Sequence, residues 1–210
     1  MLFRDALGHD NKNLLLGEDF RGRVAKASGL EEIPAGSWWA VDYPFNALAG
    51  AVLLYVEGDS ARDYFPRNIS NLIKSGREDV DFIISFGTNI ILIEAKAYTS
   101  NDNAQVTRKL DRLRILYDFY RDLSGRSDRP IDFRFLLASP TRPQKLNVQW
   151  PAWAVKGECP PLMQLKLNVT REVLQTTRCT DSGAISQFGR KWRIMPSKLF
   201  RNGAVEGDAS

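Results

Sequence analysis

Two apolar segments separated by a very short connection constrain the fold of this chain more than any other feature. Residues 80–86 and 90–97 are rich in β-branched and aromatic side chains, and only Gly87-Thr88-Asn89 lies between them. This pattern predicts two antiparallel strands joined by a tight turn. Residues 90–93 are all apolar, which is typical of a strand that is buried on both faces. We therefore expect a β-hairpin inside a larger sheet.

The acidic side chains of this hairpin are predicted to meet across the two strands. If the loop has two residues, Phe86 pairs with Asn89, and the same register places Asp81 opposite Glu94. Because side chains alternate along a strand, Lys96 shares a face with Glu94. Carboxylates that face each other at about 4.5–5.5 Å between their Cβ atoms repel each other, and one lysine does not neutralise both. A divalent cation such as Mg²⁺, which prefers hard oxygen ligands, would neutralise them.

These residues resemble the core motif of the PD-(D/E)XK nuclease superfamily. The family signature is an acid on one strand, then Glu-x-Lys on the next strand, and then a helix. Asp81 matches the first acid, Glu94 matches the second, and Lys96 matches the lysine, within a resemblance that covers residues 46–138. The proline of the family name is absent, and Asp79 lies on the same face as Asp81, which leaves a choice between these two as the ligand. The apolar run directly after Asp81 favours Asp81.

The resemblance implies a metal-dependent DNA endonuclease that hydrolyses phosphodiester bonds by means of a metal-activated water. Asp81, Glu94 and the backbone carbonyl of Ala95 would hold Mg²⁺, with Mn²⁺ as a substitute. Lys96 would orient or deprotonate the attacking water and stabilise the charge of the transition state. DNA is the expected partner, with RNA or a repair intermediate left open, and a homodimer would suit the cutting of both strands of a duplex.

A third acid is expected from a helix that precedes the first strand of the motif, as in other members of the resembled family. Residues 46–57 form an apolar segment that predicts a helix, with a buried strand over residues 52–56 as the alternative. Glu57 at the end of this segment is the favoured third acid, because one helix and one strand fit the interval. Glu18 is the other candidate, in a helix predicted over residues 13–28.

A long amphipathic helix is predicted after the hairpin. Apolar side chains recur at steps of three and four over residues 106–120, and the helix is expected to end near Gly125. In the resembled family, polar residues of the first turns of this helix approach the substrate backbone. Gln105 and Lys109 are the matching residues here. Residues 131–138 then predict a further strand.

The charge of the chain is compatible with a polyanionic partner. The formal net charge is +4 and the isoelectric point is about 9.1. Within residues 166–201, eight lysines and arginines accompany only two acidic residues. Clustered basic side chains contact phosphates without reading sequence, and Arg190, Lys191 and Arg193 are expected to do so with DNA.

Several classes of protein are excluded by residues that are scarce in this sequence. His9 is the only histidine, so a Ser-His-Asp triad or a histidine-dependent hydrolase would have to depend on it. The two cysteines, Cys159 and Cys179, are too few for a zinc site. No apolar stretch approaches the length of about 20 residues that spans a membrane, and the start does not resemble a signal sequence. We expect a cytoplasmic protein with no membrane partner.

The predicted fold is an α/β domain with a mixed central sheet of four or five strands, helices on both faces, and a C-terminal extension that contains strands. Residues 1–45 are assigned to an N-terminal helix and loop, 46–138 to a restriction endonuclease-like core, 139–201 to the basic extension, and 202–210 to a disordered tail. Strands are predicted at residues 162–170 and 191–195. Core or loop-anchoring roles are expected for the five tryptophans, Trp38, Trp39, Trp150, Trp153 and Trp192, with stacking on nucleic-acid bases as the alternative.

The alternative function belongs to a different class. A non-catalytic DNA-binding or assembly subunit can keep the nuclease scaffold and need no metal ion. The absence of a third acid at the site would favour this alternative.

Overall fold

The two apolar segments form a β-hairpin in the computed structural model of the chain. Its strands are β2 (Asp79–Phe86) and β3 (Asn89–Ala95). Phe86 pairs with Asn89, which confirms the predicted two-residue loop and the register that follows from it. Gly87 adopts the left-handed backbone conformation with φ of 53°, which a residue without Cβ adopts without strain.

The structure describes residues 14–64, 66–68, 70–74, 78–95, 103–125, 129–139, 146–157, 160–164 and 173–197. Lys96 and the predicted tail at residues 202–210 lie outside these ranges. The chain divides into two compact units, Met1–Leu165 and Lys166–Ser210.

The first unit contains a five-stranded mixed sheet. Its strand order is β1-β2-β3-β4-β5, antiparallel among the first three strands and parallel from β3 to β5. A helix connects the parallel strands β3 and β4, as a parallel crossover requires. The remaining strands of this sheet are β1 (Trp38–Pro44), β4 (Asp132–Ser139) and β5 (Leu162–Gln164), and the helices are α1 (Glu18–Ser28), α2 (Phe45–Glu57) and α3 (Asn103–Ser124), with a short 3-10 helix at Gly58–Asp63.

Helices cover both faces of the sheet, as predicted. On one face, Ile83, Ile90 and Leu92 belong to a buried cluster with the apolar sides of α2 and α3. On the other face, Ile91 and Ile93 pack in a second cluster with the apolar side of α1. The β3 strand is therefore buried on both faces, which explains its continuous apolar run.

The segment at residues 46–57 is a helix, and the alternative of a strand over residues 52–56 is wrong. Leu48, Val52 and Tyr55 recur at helical spacing and pack in the cluster between α2, α3 and the sheet. The helix ends at Gly58, whose φ of 63° is in the region that favours glycine.

The outer strands of the sheet lie within segments for which the sequence allows strands. A loop or short strand is predicted over residues 34–44, and the structure forms the edge strand β1 there, which buries Trp38. The strand predicted over residues 162–170 is described only as far as Gln164. Trp150 and Trp153 are partly buried against the cluster of α2 and α3, in agreement with their expected packing roles.

The second unit contains a two-stranded antiparallel sheet. Its strands are β6 (Val173–Cys179), which was not predicted, and β7 (Lys191–Ser197), which was predicted over residues 191–195. The loop between them returns so closely that a Cβ atom on Gly189 would collide with the backbone of Cys179. Among the described residues of the whole chain, no helix has the length and apolar character needed to cross a membrane.

Candidate functional site

Acidic residues lie where the first residues of β2 run beside the last residues of β3. We call these strand ends the acidic edge of the sheet. The ladder between the two strands ends at the pair Phe82 and Ile93, and Asp81 and Glu94 are the next residues of their strands beyond this pair. The backbone N–H of Ala95 donates a hydrogen bond to Asp81 Oδ2 at 2.7 Å. Asp81 is thus oriented toward the end of β3, and its carboxylate lies beside the backbone of the residue that follows Glu94.

Glu94 is a buried acid with a basic partner from α3. Its side chain is 8% exposed, and its Oε2 atom lies 3.0 Å from the Lys109 Nζ atom. The same ammonium donates a hydrogen bond of 2.5 Å to the backbone carbonyl of Asp79. Because a buried charge is unfavourable unless it is paired, this contact compensates the carboxylate of Glu94.

A cavity of about 230 Å³ adjoins this edge and is lined by side chains of both signs. Its lining residues are Phe45, Glu78, Asp79, Gln105, Arg108, Lys109 and Arg112. The three basic residues come from the first half of α3, and they outnumber the two acidic residues of the lining. Gln105 and Lys109, which were predicted to approach a substrate backbone, both line this cavity.

Arg112 is a structural component of the cavity wall. Its guanidinium bonds to Glu78 Oε2 and to the carbonyls of Asn71 and Leu72, at 2.5, 2.7 and 2.8 Å. It also lies over the Phe45 ring, 4.5 Å from the ring centroid. These contacts connect α3 to Asn71, Leu72 and Glu78, so Arg112 holds this part of the cavity wall in place. Arg108 is exposed. The hydrogen bond described for its side chain runs from its Nε–H to the Ala104 carbonyl, at 3.3 Å.

The carboxylates at this edge suit a hard divalent cation in chemical type. Asp81 and Glu94 provide oxygen donors from neighbouring strands, and Mg²⁺ takes few protein ligands because it keeps several of its waters. Within the ranges described, no group of three or more His, Cys, Asp or Glu side chains is arranged to hold a metal ion. The donor set therefore fits a site with two carboxylates, and not one with three.

Glu57, the favoured third acid, does not lie at this edge. The N–H of Phe45 at the start of α2 donates to the Glu78 carbonyl at 2.8 Å, which places the start of the helix beside the acidic edge. Glu57 is twelve residues further along the helix, about 18 Å away at the usual rise of about 1.5 Å per residue. Near that far end, Arg129 donates a hydrogen bond to the backbone carbonyl of Tyr55. Burial raises the pKa of the Tyr55 hydroxyl above its ordinary value of 10.0.

Glu18 belongs to a helix that begins nearer to the candidate site. The Phe20 ring packs 5.5 Å from the ring of Phe82, the residue after Asp81. However, α1 covers the face of the sheet opposite to Glu94, and Glu18 itself is exposed. In the described part of the chain, Glu18 does not complete a group of three metal-binding side chains with Asp81 and Glu94.

The three basic residues predicted to contact DNA in the C-terminal region belong to the second unit. Lys191 Nζ lies 3.3 Å from Asp181 Oδ1, and Arg193 Nη1 donates to the Gly183 carbonyl at 3.0 Å. Arg190 is exposed. The neighbouring Trp192 is 67% exposed, so the expected core or loop-anchoring role is wrong for this tryptophan.

No model of a known protein family matches the chain, and neither a curated protein nor a solved structure matches it. The geometry at the edge of the sheet is therefore the basis for assigning a function.

Sequence reasoning missed the structural roles of two cations in α3. Arg112 is buried, and Lys109, three residues before it, is partly buried; the buried residues Leu116, Tyr120 and Leu123 follow at steps of four and three. Cations on the buried stripe of an amphipathic helix require internal partners. That spacing was a signal that both residues bind groups inside the protein.

Proposed function

We propose that the protein is a Mg²⁺-dependent DNA endonuclease that hydrolyses phosphodiester bonds, with Mn²⁺ able to replace Mg²⁺. The observation that supports this proposal best is the position of Asp81 beside the end of β3, where its Oδ2 atom accepts the Ala95 N–H next to the buried Glu94. Acids from two neighbouring strands at one edge of a sheet are the arrangement that the resembled nuclease motif requires. A homodimer and a cytoplasmic location belong to the same proposal.

The residues that would hold the metal ion are Asp81 and Glu94, with the carbonyl of Ala95. When bound, Mg²⁺ acts as a Lewis acid on the phosphoryl oxygen and lowers the pKa of a bound water. The bond from the Ala95 N–H fixes one oxygen of Asp81, so its carboxylate is oriented before any ligand binds. The low exposure of Glu94 keeps water away from its charge and strengthens its attraction for a cation.

The remaining roles are assigned to basic and polar side chains. Lys96, which follows Glu94 by two residues in the sequence, is assigned the role of the motif's lysine, to orient or deprotonate the attacking water. Gln105 and Arg108 line the cavity beside the acidic edge and contact the phosphates that flank the cleaved bond. Arg190, Lys191 and Arg193 contact the DNA backbone elsewhere on the substrate.

The test is incubation of the purified protein with plasmid, linear and single-stranded DNA in the presence of Mg²⁺, Mn²⁺ or a chelator. We expect cleavage with either metal, none with the chelator, and none with Asp81→Asn or Glu94→Gln. Asp111→Asn is a matched control, because it removes one exposed carboxylate from α3 and should cleave normally. Metal-independent cleavage, or full activity of Asp81→Asn, would refute the proposal.

A second candidate function is a non-catalytic DNA-binding or assembly subunit. The Lys109–Glu94 ion pair favours it, because a lysine already compensates the buried acid and the described residues offer no third acidic ligand. This candidate predicts DNA binding that does not change with metal ions. It also predicts no cleavage at any DNA concentration.

A further inference from the structure

Lys109 contacts the same carboxylate to which the proposed function assigns a metal ion. Its ammonium lies 3.0 Å from Glu94 Oε2 and donates a bond to the Asp79 carbonyl. The Glu94 side chain is only 8% exposed, so water contributes little to stabilising its charge. The lysine therefore supplies positive charge to Glu94 in the same way as a divalent cation would.

Two cations that share one buried carboxylate repel each other. The repulsion at a separation of a few ångströms is strong in a partly desolvated site, because the effective dielectric constant is far below that of water. Metal binding at Glu94 must therefore weaken the contact between Glu94 and Lys109. Because coupling between two sites is reciprocal, the Lys109–Glu94 contact must lower the affinity of the site for the metal.

The cavity beside α3 offers a second position for the lysine ammonium. Lys109 lines this cavity together with Gln105 and Arg108, both from the same side of the helix. A lysine has a flexible stem of four carbons and a compact charge, so it can leave one anion and bind another nearby. A phosphate group in the cavity would be such an anion.

We propose that Lys109 is a substrate-binding residue that exchanges partners when the metal binds. In the metal-free protein it compensates Glu94, and in the metal-bound protein it contacts a phosphate of the nucleic acid in the adjacent cavity. Metal binding thereby prepares the contact with the substrate. This inference rests on the metal site of the proposed function, and it is tested by binding measurements that do not require cleavage.

The first experiment titrates Mn²⁺ into DNA-free protein and follows binding by electron paramagnetic resonance of the free ion. We expect Lys109→Met to bind Mn²⁺ on the order of tenfold more tightly than the wild type, because a competing charge has been removed. Lys109→Arg retains the charge and should bind like the wild type. Arg114→Met removes one positive charge from an exposed position of the same helix and should change the affinity little, because water and salt screen that charge.

A melting experiment identifies a variant that is merely damaged. Without metal, Lys109→Met should melt below the wild type, because Glu94 loses its contact with the Lys109 ammonium, and saturating Mn²⁺ should close the difference. Lys109→Gln serves as a second variant where the methionine variant does not fold. If these variants bind Mn²⁺ no more tightly than the wild type does, the inference is wrong and the proposed metal site is unaffected. If neither wild type nor variants bind Mn²⁺, the proposed metal site is wrong and the inference fails with it.

The exchange of partners is tested by DNA affinity, measured by fluorescence anisotropy with Ca²⁺ or with chelator. Ca²⁺ is also a hard cation with oxygen ligands. We expect Lys109→Met to lower the affinity in Ca²⁺ and to leave it unchanged in chelator, where Lys109 is held by Glu94. An equal loss under both conditions would show a permanent phosphate contact and would contradict the exchange.

Discussion

The basic residues of α3 and those of the β6–β7 hairpin have similar side chains and very different surroundings. Lys109 and Arg112 are 20% and 8% exposed in their side chains and bind to acids and carbonyls inside the first unit. On the hairpin, Lys191 is 63% exposed and pairs with an acid that is 85% exposed. The comparison shows that a high count of basic residues in a sequence segment does not identify the cations on which the structure depends.

The difference follows from solvation. A cation that is removed from water needs hydrogen-bond or ion-pair partners inside the protein to replace its hydration. Deleting one partner of such a pair leaves the other charge buried and uncompensated. An exposed cation keeps its water whether or not it has a partner, and salt screens its field. Substitution of the internal cations Lys109 and Arg112 is therefore expected to lower the stability of the fold, whereas substitution of the exposed cations of the hairpin is expected to change binding.

The largest effect on stability is expected for Arg112→Met. The substitution removes the donors for Glu78, Asn71 and Leu72 and the contact with the Phe45 ring. We expect a loss of about 3 kcal/mol in the free energy of unfolding, measured by denaturant titration. Arg114→Met, on the exposed side of α3, should change it by less than about 0.5 kcal/mol. Equal effects of the two substitutions would contradict the division into internal and surface cations.

Reversal of Arg190, Lys191 and Arg193 to glutamate should weaken DNA binding without unfolding the protein. If all three contact phosphates of a duplex, each lost contact lowers the slope of log affinity against log salt by about 0.9. The loss should be similar for unrelated sequences, and saturating DNA should largely restore cleavage. Unchanged binding would show that the hairpin cations are only solvated and would direct attention to Gln105 and Arg108.

The smallest effect is expected for the ion pair between Lys191 and Asp181. Both side chains are largely exposed, so Asp181→Asn should change the free energy of unfolding by no more than about 1 kcal/mol. The change should shrink further as salt is added. If Asp181→Asn lowered the free energy of unfolding as much as Arg112→Met does, the contrast between the internal cations of α3 and the exposed cations of the hairpin would be wrong.

Local features were predictable from the sequence, and features that depend on the packing of distant elements were not. The hairpin register followed from the length of the Gly87-Thr88 loop, and α3 followed from the spacing of its apolar residues. The position of Glu57 depends on the direction in which α2 crosses the sheet, which the helix pattern does not contain. The partners of Lys109 lie fifteen and thirty residues away in the chain, so only the folded structure brings them together.

The central claim is that Asp81 and Glu94 share one divalent cation, and thermal unfolding with and without Mg²⁺ tests it most directly. A ligand that binds only the folded state stabilises it by about 2.7 kcal/mol at one hundred times its dissociation constant. Asp81→Asn retains an oxygen to accept the Ala95 N–H but loses the charge, so it isolates metal binding from the hydrogen bond. We predict that Mg²⁺ raises the Tm of the wild type and leaves that of Asp81→Asn unchanged. An equal rise in both proteins would contradict the claim.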